Sequence, residues 1–220
     1  MYPFNDQAFI IAELSANHNN DFDLAVDTIK AMAKAGANAV KVQTYTADSL
    51  AINVDNDIFG KRKEGLWKGR TLWDLYKEAS MPYEWHEPLQ KVAQELGLVF
   101  FSSPFDVDGV AFLEQLNVPL YKIASFEITD IPLIRAVAKT GKPIIISTGV
   151  AQEADISLAL ETCHRENNHQ VTLLKCTSNY PSTLADANLK TMADMRARFD
   201  VTVGVSDHTM GSIVPITATA

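Results

Sequence analysis

Short apolar, often β-branched runs recur along this chain, each followed by a segment of helical spacing, and that rhythm limits the fold more than any other feature. Phe9-Ile-Ile-Ala12, Ala39-Val-Lys-Val-Gln43, Leu98-Val-Phe-Phe-Ser102 and Leu120-Tyr-Lys-Ile123 read as strands. Pro143-Ile-Ile-Ile-Ser147, Val171-Thr-Leu-Leu-Lys175 and Val201 to Val205 continue the series. Near-continuous apolar strands separated by amphipathic helices imply a parallel sheet covered by helices. Seven such units suit an α/β chain of the (β/α)8 TIM-barrel type, truncated after about seven strands, better than a doubly wound sheet. No GxGxxG follows the first strand, which also weighs against a dinucleotide-binding fold. No Pro/Gly/Ser linker divides the chain, so residues 1–220 are expected to form a single domain.

The helices expected between these strands span Asp23 to Ala35, Tyr83 to Leu96, Asp106 to Leu116, Ile131 to Thr140, Gln152 to Glu166 and Ala185 to Arg198. One connection breaks the rhythm. Thr44 to Met81 is rich in aromatics (Tyr45, Phe59, Trp67, Trp73, Tyr76) and carries one expected short helix, Leu72 to Ala79. A connection of that length is usually a lid or binding segment, and its aromatic content argues against disorder.

The strand ends are polar throughout. They carry Glu13; Lys41 and Gln43; Ser102 and Ser103; Lys122, Ser125 and Glu127; Ser147 and Thr148; Lys175, Thr177 and Ser178; Ser206, Asp207 and His208. On a closed barrel these groups would share one rim, where such folds hold their active sites. Lysines, hydroxyls and backbone N–H groups suit a phosphate or another small anion. A carboxylate and an imidazole suit a divalent cation, with His208 the foremost ligand candidate.

Each residue also has a plainer reading. Lys41 can snorkel to solvent, Ser102-Ser-Pro104 can be a turn, and Ser147-Thr-Gly149 can cap the next helix. His208 can be a hydrogen-bonded structural residue and Asp207 its orienter or a cap. His86, His164 and His169 read as solvated surface, Cys163 as helix core and Cys176 as a small buried apolar group.

The net charge of −8 argues against nucleic acid, whose backbone calls for clustered Lys and Arg. No apolar run nears the roughly 20 residues that span a bilayer. Met1-Tyr-Pro-Phe-Asn-Asp6 lacks the pattern of a secretory leader. With two cysteines and no CxxC, the expected setting is cytoplasmic.

Taken together, Ile11-Ala-Glu-Leu-Ser-Ala-Asn-His-Asn19, Val40-Lys-Val-Gln-Thr44, Ser102-Ser-Pro-Phe105, Tyr121-Lys-Ile-Ala-Ser-Phe-Glu127, Ile146-Ser-Thr-Gly149, Lys175-Cys-Thr-Ser-Asn-Tyr-Pro181 and Gly204-Val-Ser-Asp-His-Thr209 resemble the sialic acid (nonulosonate) synthase family. The first of these, with Gly65-Leu-Trp-Lys-Gly-Arg70 and Glu84-Trp-His86, looks most like its pseudaminic acid synthase branch. The resemblance implies condensation of phosphoenolpyruvate with an N-acetylated amino-sugar aldehyde to a nine-carbon nonulosonic acid, with release of phosphate. It implies a divalent metal, manganese before magnesium or cobalt, no organic cofactor, and a homodimer for the full-length family member.

By position, Lys41, Ser103, Lys122, Ser125, Ser147 and Ser206 would hold phosphoenolpyruvate, Glu13 would lie near the reacting carbons, and Gln43, Glu127 and Tyr180 would face the acceptor. His208 would be the first metal ligand. Ser178 stands where the family commonly has asparagine, a departure at one phosphate contact. The family's second metal histidine and its C-terminal antifreeze-like domain have no counterpart in these 220 residues, so weak metal binding and little turnover are expected of them alone. Alternatives are an N-acetylneuraminate or legionaminate synthase, a Schiff-base aldolase using Lys122 or Lys175, and a non-catalytic sugar-phosphate-binding module.

Overall fold

In the computed structural model, residues 8–65 and 67–220 are described. Met1 to Asp6 lies outside them. The chain forms two compact units, Phe9–Val118 and Pro119–Ala220. Each is a parallel ladder flanked by helices.

In the first unit, β1 (Ile11–Glu13), β2 (Ala39–Thr44) and β3 (Val99–Pro104) pair in order. Its helices are α1 (Phe22–Lys34), α2 (Ala47–Leu50), α3 (Leu72–Ala79), α4 (His86–Glu95) and α5 (Val107–Gln115). In the second unit, β4 (Tyr121–Ile123), β5 (Ile144–Ser147), β6 (Val171–Cys176) and β7 (Thr202–Ser206) pair in order. Its helices are α6 (Ile131–Ala138), α7 (Glu153–Arg165), α8 (Lys190–Phe199) and α9 (Ile213–Thr219).

Local chemistry explains where these elements begin. Asp21 caps α1 through Leu24 N, Asp106 caps α5 through Gly109 N, and Asp130 caps α6 through Leu133 N. A side-chain acceptor on an otherwise unpaired first-turn N–H contributes about 1 kcal/mol. On α1, Leu24 is exposed, and Ala25 with Ile29 forms the buried face at i,i+4. That face packs with Val40, Val42, Leu89 and Phe100 into the first unit's core. Each such large side chain, fully buried, contributes about 2 kcal/mol of transfer free energy.

The long connection is structured. Thr46 caps α2, Thr71 caps α3, and the Trp73 indole N–H donates to Asp48 at 2.8 Å. Tyr45 meets Tyr76 and Phe105 edge-on, tying the segment to the residue that follows β3. The helix expected from Ala185 to Arg198 is divided. A 3-10 turn spans Leu184–Asp186 and α8 begins only at Lys190, because the Asp186 carbonyl accepts from Lys175, Thr177 and Asn188 side chains. Among the described residues, no helix is long and apolar enough to cross a membrane.

Candidate active site

Register decides which side chains share a face. Side chains alternate along a strand, and residues paired across a ladder point the same way. In the first unit, Glu13, Lys41 and Phe101 are register partners, as are Gln43 and Ser103. Glu13, Lys41, Gln43 and Ser103 therefore lie on one face, while Val42, Thr44 and Ser102 take the other with the helices.

Lys41 is buried and does not reach for solvent: its ammonium pairs with Glu13 Oε1 at 3.0 Å. The Ser103 hydroxyl is buried without a hydrogen-bond partner, so this face holds an unused donor. Neither Ser102 nor Ser103 is in a turn; both are strand residues.

Ser102 belongs to a different structure. His86, expected on the surface, is fully buried. Its Nδ1 contacts the Tyr83 carbonyl at 3.2 Å, and Nε2 lies 2.7 Å from Thr44 Oγ1, which lies 2.6 Å from Ser102 Oγ. A carbonyl can only accept, so Nδ1 carries the proton and Nε2 accepts from the threonine hydroxyl. Burial lowers the His86 pKa from 6.5 to about 4, with backbone contacts at Tyr83, Pro82 and Gln43 pulling the other way. The helical spacing of 83–96 leaves the buried face open to several registers, and helix-side packing under β2 and β3 decides it. His18 is buried beside Trp85, with Nδ1 accepting from Asn20 N, and burial lowers its pKa.

The second unit repeats the sorting. Lys122 pairs with Ile145, Thr172 with Thr202, and Cys176 with Ser206. Lys122, Ser147, Cys176 and Ser206 thus share one face, and Lys122, Ser147 and Cys176 are buried. Lys175 takes the opposite, helix-facing side, where its ammonium donates to Thr177 Oγ1 and the Asp186 carbonyl. Burial lowers the Lys175 pKa, opposed by Cys176 and Asp186. A carbonyl substrate meeting Lys122, Ser147 and Ser206 would meet the face opposite Lys175, which removes Lys175 from the aldolase reading.

Around that shared face, the Gly149 N–H donates to Ser125 Oγ at 3.2 Å. A Cβ on Gly149 would lie 2.2 Å from Ser178 Oγ, 3.0 Å from Ser125 Oγ and 3.2 Å from Cys176 Sγ. Only glycine permits this approach. The Ser178 hydroxyl is buried and unpartnered. Ser147 and Thr148 do not cap the next helix, whose cap is Gln152, and Thr148 Oγ1 instead donates to the Leu174 carbonyl.

Glu127 follows β4 on a 3-10 turn. Burial raises its pKa, Lys122 opposes the rise, and one carboxyl oxygen is buried without a partner. Cys176 is buried as expected but is not an inert apolar group. Burial works to raise its pKa, and hydrogen bonds with His208, Ser125 and Ser206 outweigh it, leaving the thiol below its ordinary value. Cys163 is fully buried in α7, where desolvation pushes its thiol up to about 12.

His208 contacts the Thr177 carbonyl through Nδ1 at 3.0 Å, and the ring of Tyr180 stands 4.2 Å away, centroid to centroid. Asp207 accepts from Thr209 N and Thr209 Oγ1, so it shapes the turn after β7. Tyr180 is largely exposed, and its bond to Pro181 is cis. His164 and His169 are solvent-exposed, as expected.

Comparison with known proteins gives consistent results. A model of the NeuB family matches residues 28–220. The pseudaminic acid synthase of Helicobacter pylori is 48% identical over 210 residues, covering 96% of this chain and 62% of that protein. The N,N'-diacetyllegionaminic acid synthase of Legionella pneumophila is 37% identical, covering 96% of the chain and 60% of the relative. The chain therefore spans about three fifths of the length of these relatives. The crystal structure of N-acetylneuraminic acid synthetase from Leptospira borgpetersenii, in complex with citrate, superposes with a TM-score of 0.84 at 32% identity, over 97% of this chain and 70% of that one. The fold class is that of these α/β barrel-type synthases.

Proposed function

The chain belongs to the NeuB family, and on that premise we propose that it condenses phosphoenolpyruvate with an N-acetylated amino-sugar aldehyde, forming a nonulosonic acid and releasing phosphate. Pseudaminic acid is the favoured product, supported by 48% identity to a pseudaminic acid synthase against 37% to a legionaminic acid synthase. The observation that carries the reading lies in the second unit. A buried ammonium, Lys122, shares a strand face with Ser147 and Ser206, next to a glycine-gated cluster holding Ser125 and the unpartnered Ser178 hydroxyl. Lys122 already donates to the Ile123 carbonyl at 2.6 Å and keeps further N–H donors, and the unpartnered Ser178 hydroxyl adds another, a set that suits a tetrahedral oxyanion.

In this reading Lys122 with Ser125, Ser147, Ser178 and Ser206 fixes the phosphate and carboxylate of phosphoenolpyruvate. Holding C3 at near-attack distance converts a bimolecular encounter into a unimolecular step. C3 attacks the aldehyde carbon, cationic character develops at C2, water adds there, and the C2–O bond breaks to expel phosphate. Glu127, with its raised pKa, is a carboxyl suited to hydrogen-bond the acceptor, and the exposed Tyr180 ring offers it an apolar face. Within the first unit, Lys41, Ser103 and Gln43 bind substrate, and Glu13 stabilises developing positive charge.

His208 fits a role as metal donor. Its Nδ1–H is engaged by a carbonyl, so Nε2 carries the lone pair a divalent ion needs. Among the described residues no group of three His, Cys, Asp or Glu side chains converges, so a metal held by His208 would need further donors. When bound, the ion would act as a Lewis acid on the aldehyde oxygen. The test is borohydride reduction with pyruvate or phosphoenolpyruvate present, followed by intact mass. The synthase reading predicts no adduct, together with acceptor-dependent release of phosphate; a reduced adduct on Lys122 would replace it with aldolase chemistry.

A further inference from the structure

Lys175 stands in the middle of the Lys175-Cys-Thr-Ser-Asn-Tyr-Pro181 segment yet faces away from Lys122, Ser147 and Ser206. We infer that Lys175 is a positioning residue, which fixes the tautomer and direction of the His208 imidazole from the far side of strand β6. The inference rests on the metal-donor reading of His208 for its purpose, but not for its geometry.

The chain of contacts is short and continuous. The Lys175 ammonium donates to Thr177 Oγ1 at 2.7 Å and to the Asp186 carbonyl at 3.3 Å, and Thr177 Oγ1 in turn donates to that carbonyl at 3.1 Å. This clamps Thr177 at the point where the chain leaves β6. The Thr177 carbonyl then meets His208 Nδ1 at 3.0 Å. Ser182 closes the loop: its hydroxyl proton is shared between the Asn179 carbonyl at 2.8 Å and the Thr177 carbonyl at 3.2 Å, and its N–H donates to the His208 carbonyl at 2.9 Å. The ring of Tyr180 packs on the imidazole. Both the side chain and the backbone of His208 are thereby tied to one short loop.

Lys175 is 8% exposed, and a buried ammonium is costly unless its hydrogen bonds are used. Here they are used on the one threonine whose carbonyl orients the imidazole. Because that carbonyl cannot donate, a correctly placed Thr177 holds the proton on Nδ1, whose longer contact is Cys176 Sγ at 3.9 Å, and puts the ring's lone pair on Nε2. A displaced Thr177 would let the ring rotate or exchange tautomers, and partners of this kind typically alter metal affinity by roughly tenfold or more.

The experiment uses protein labelled with 15N histidine, with His208 assigned by substitution. Long-range proton–nitrogen correlation reads the tautomer, and manganese titration followed by electron paramagnetic resonance reads affinity. Wild type should show His208 protonated at Nδ1. Lys175→Met should give a mixture of tautomers and a loss of manganese affinity on the order of tenfold, with Lys175→Arg restoring much of both. Thr177→Val, which keeps shape and removes the clamped hydroxyl, should repeat the tautomer change if Lys175→Met folds poorly. An unchanged tautomer in folded Lys175→Met or Thr177→Val would overturn the inference. A tautomer change in a protein whose wild type binds no manganese would uphold the clamp and reject the metal-donor reading instead.

Discussion

Acid should weaken the first unit through His86, and the size of the effect follows from its burial. The imidazole is neutral in the folded chain, with a pKa lowered from 6.5 to about 4. Above pH 6.5 it is neutral in both folded and unfolded chains and adds no pH dependence. As pH falls through that value, the unfolded chain takes up a proton that the folded chain refuses, so stability drops until the folded ring itself titrates near pH 4. At 1.36 kcal/mol per unit, the full loss is about 3 kcal/mol, of which about 2 kcal/mol has appeared by about pH 5.

The structural reason is specific. Protonating Nε2 would oppose the Thr44 hydroxyl, which must then turn away from the ring and disturb its contact with Ser102. Urea unfolding of wild type and His86→Asn, between about pH 7 and about pH 5, isolates this term from the other titrating groups. Wild type should lose about 2 kcal/mol more than the variant over that range. Parallel pH dependences would refute the reasoning, since a solvated histidine would leave the difference near zero.

The two adjacent serines should separate cleanly. Ser102→Ala should cost about 1–2 kcal/mol of stability by removing a partner from the buried Thr44–His86 network, while Ser103→Ala should leave stability within about 0.5 kcal/mol and raise the KM for phosphoenolpyruvate. The reverse pattern, read by urea unfolding and steady-state kinetics, would mean the strand faces are misassigned. Gly149→Ala would put a methyl 2.2 Å from Ser178 Oγ and 3.0 Å from Ser125 Oγ; displacing both hydroxyls should lower kcat/KM by about a hundredfold. Unchanged kinetics in the folded variant would count against the cluster as a substrate site.

Much of the architecture could be read from periodicity. Every expected strand exists, with ends within about two residues, because apolar runs between Gly, Pro and capping residues leave little alternative. The polar tips were equally legible as a set. What periodicity could not resolve was the direction of each tip residue. Ser102 and Ser103 are neighbours of identical chemistry, and only the pairing of Gln43 with Ser103 assigns them to opposite faces. Lys175 and Cys176 are separated the same way by the pairing of Cys176 with Ser206.

His86 shows a second limit. A histidine beside Glu84 and Glu87 looks solvated in sequence, and its burial arises from Thr44, 42 residues away. The glycine-gated approach of Ser178 and Ser125 is a tertiary contact with no local signature beyond the glycine itself.

The central claim concerns which bond breaks when phosphate leaves. Phosphoenolpyruvate carrying 18O in the bridging position, supplied with the acceptor aldehyde and manganese to the full-length protein, answers this by mass analysis of the released phosphate. The proposed chemistry predicts that the bridging label leaves entirely with phosphate, since water attacks C2 and the C2–O bond is cleaved. Label retained in the sugar acid or in pyruvate, with unlabelled phosphate, would place cleavage at phosphorus and contradict the account.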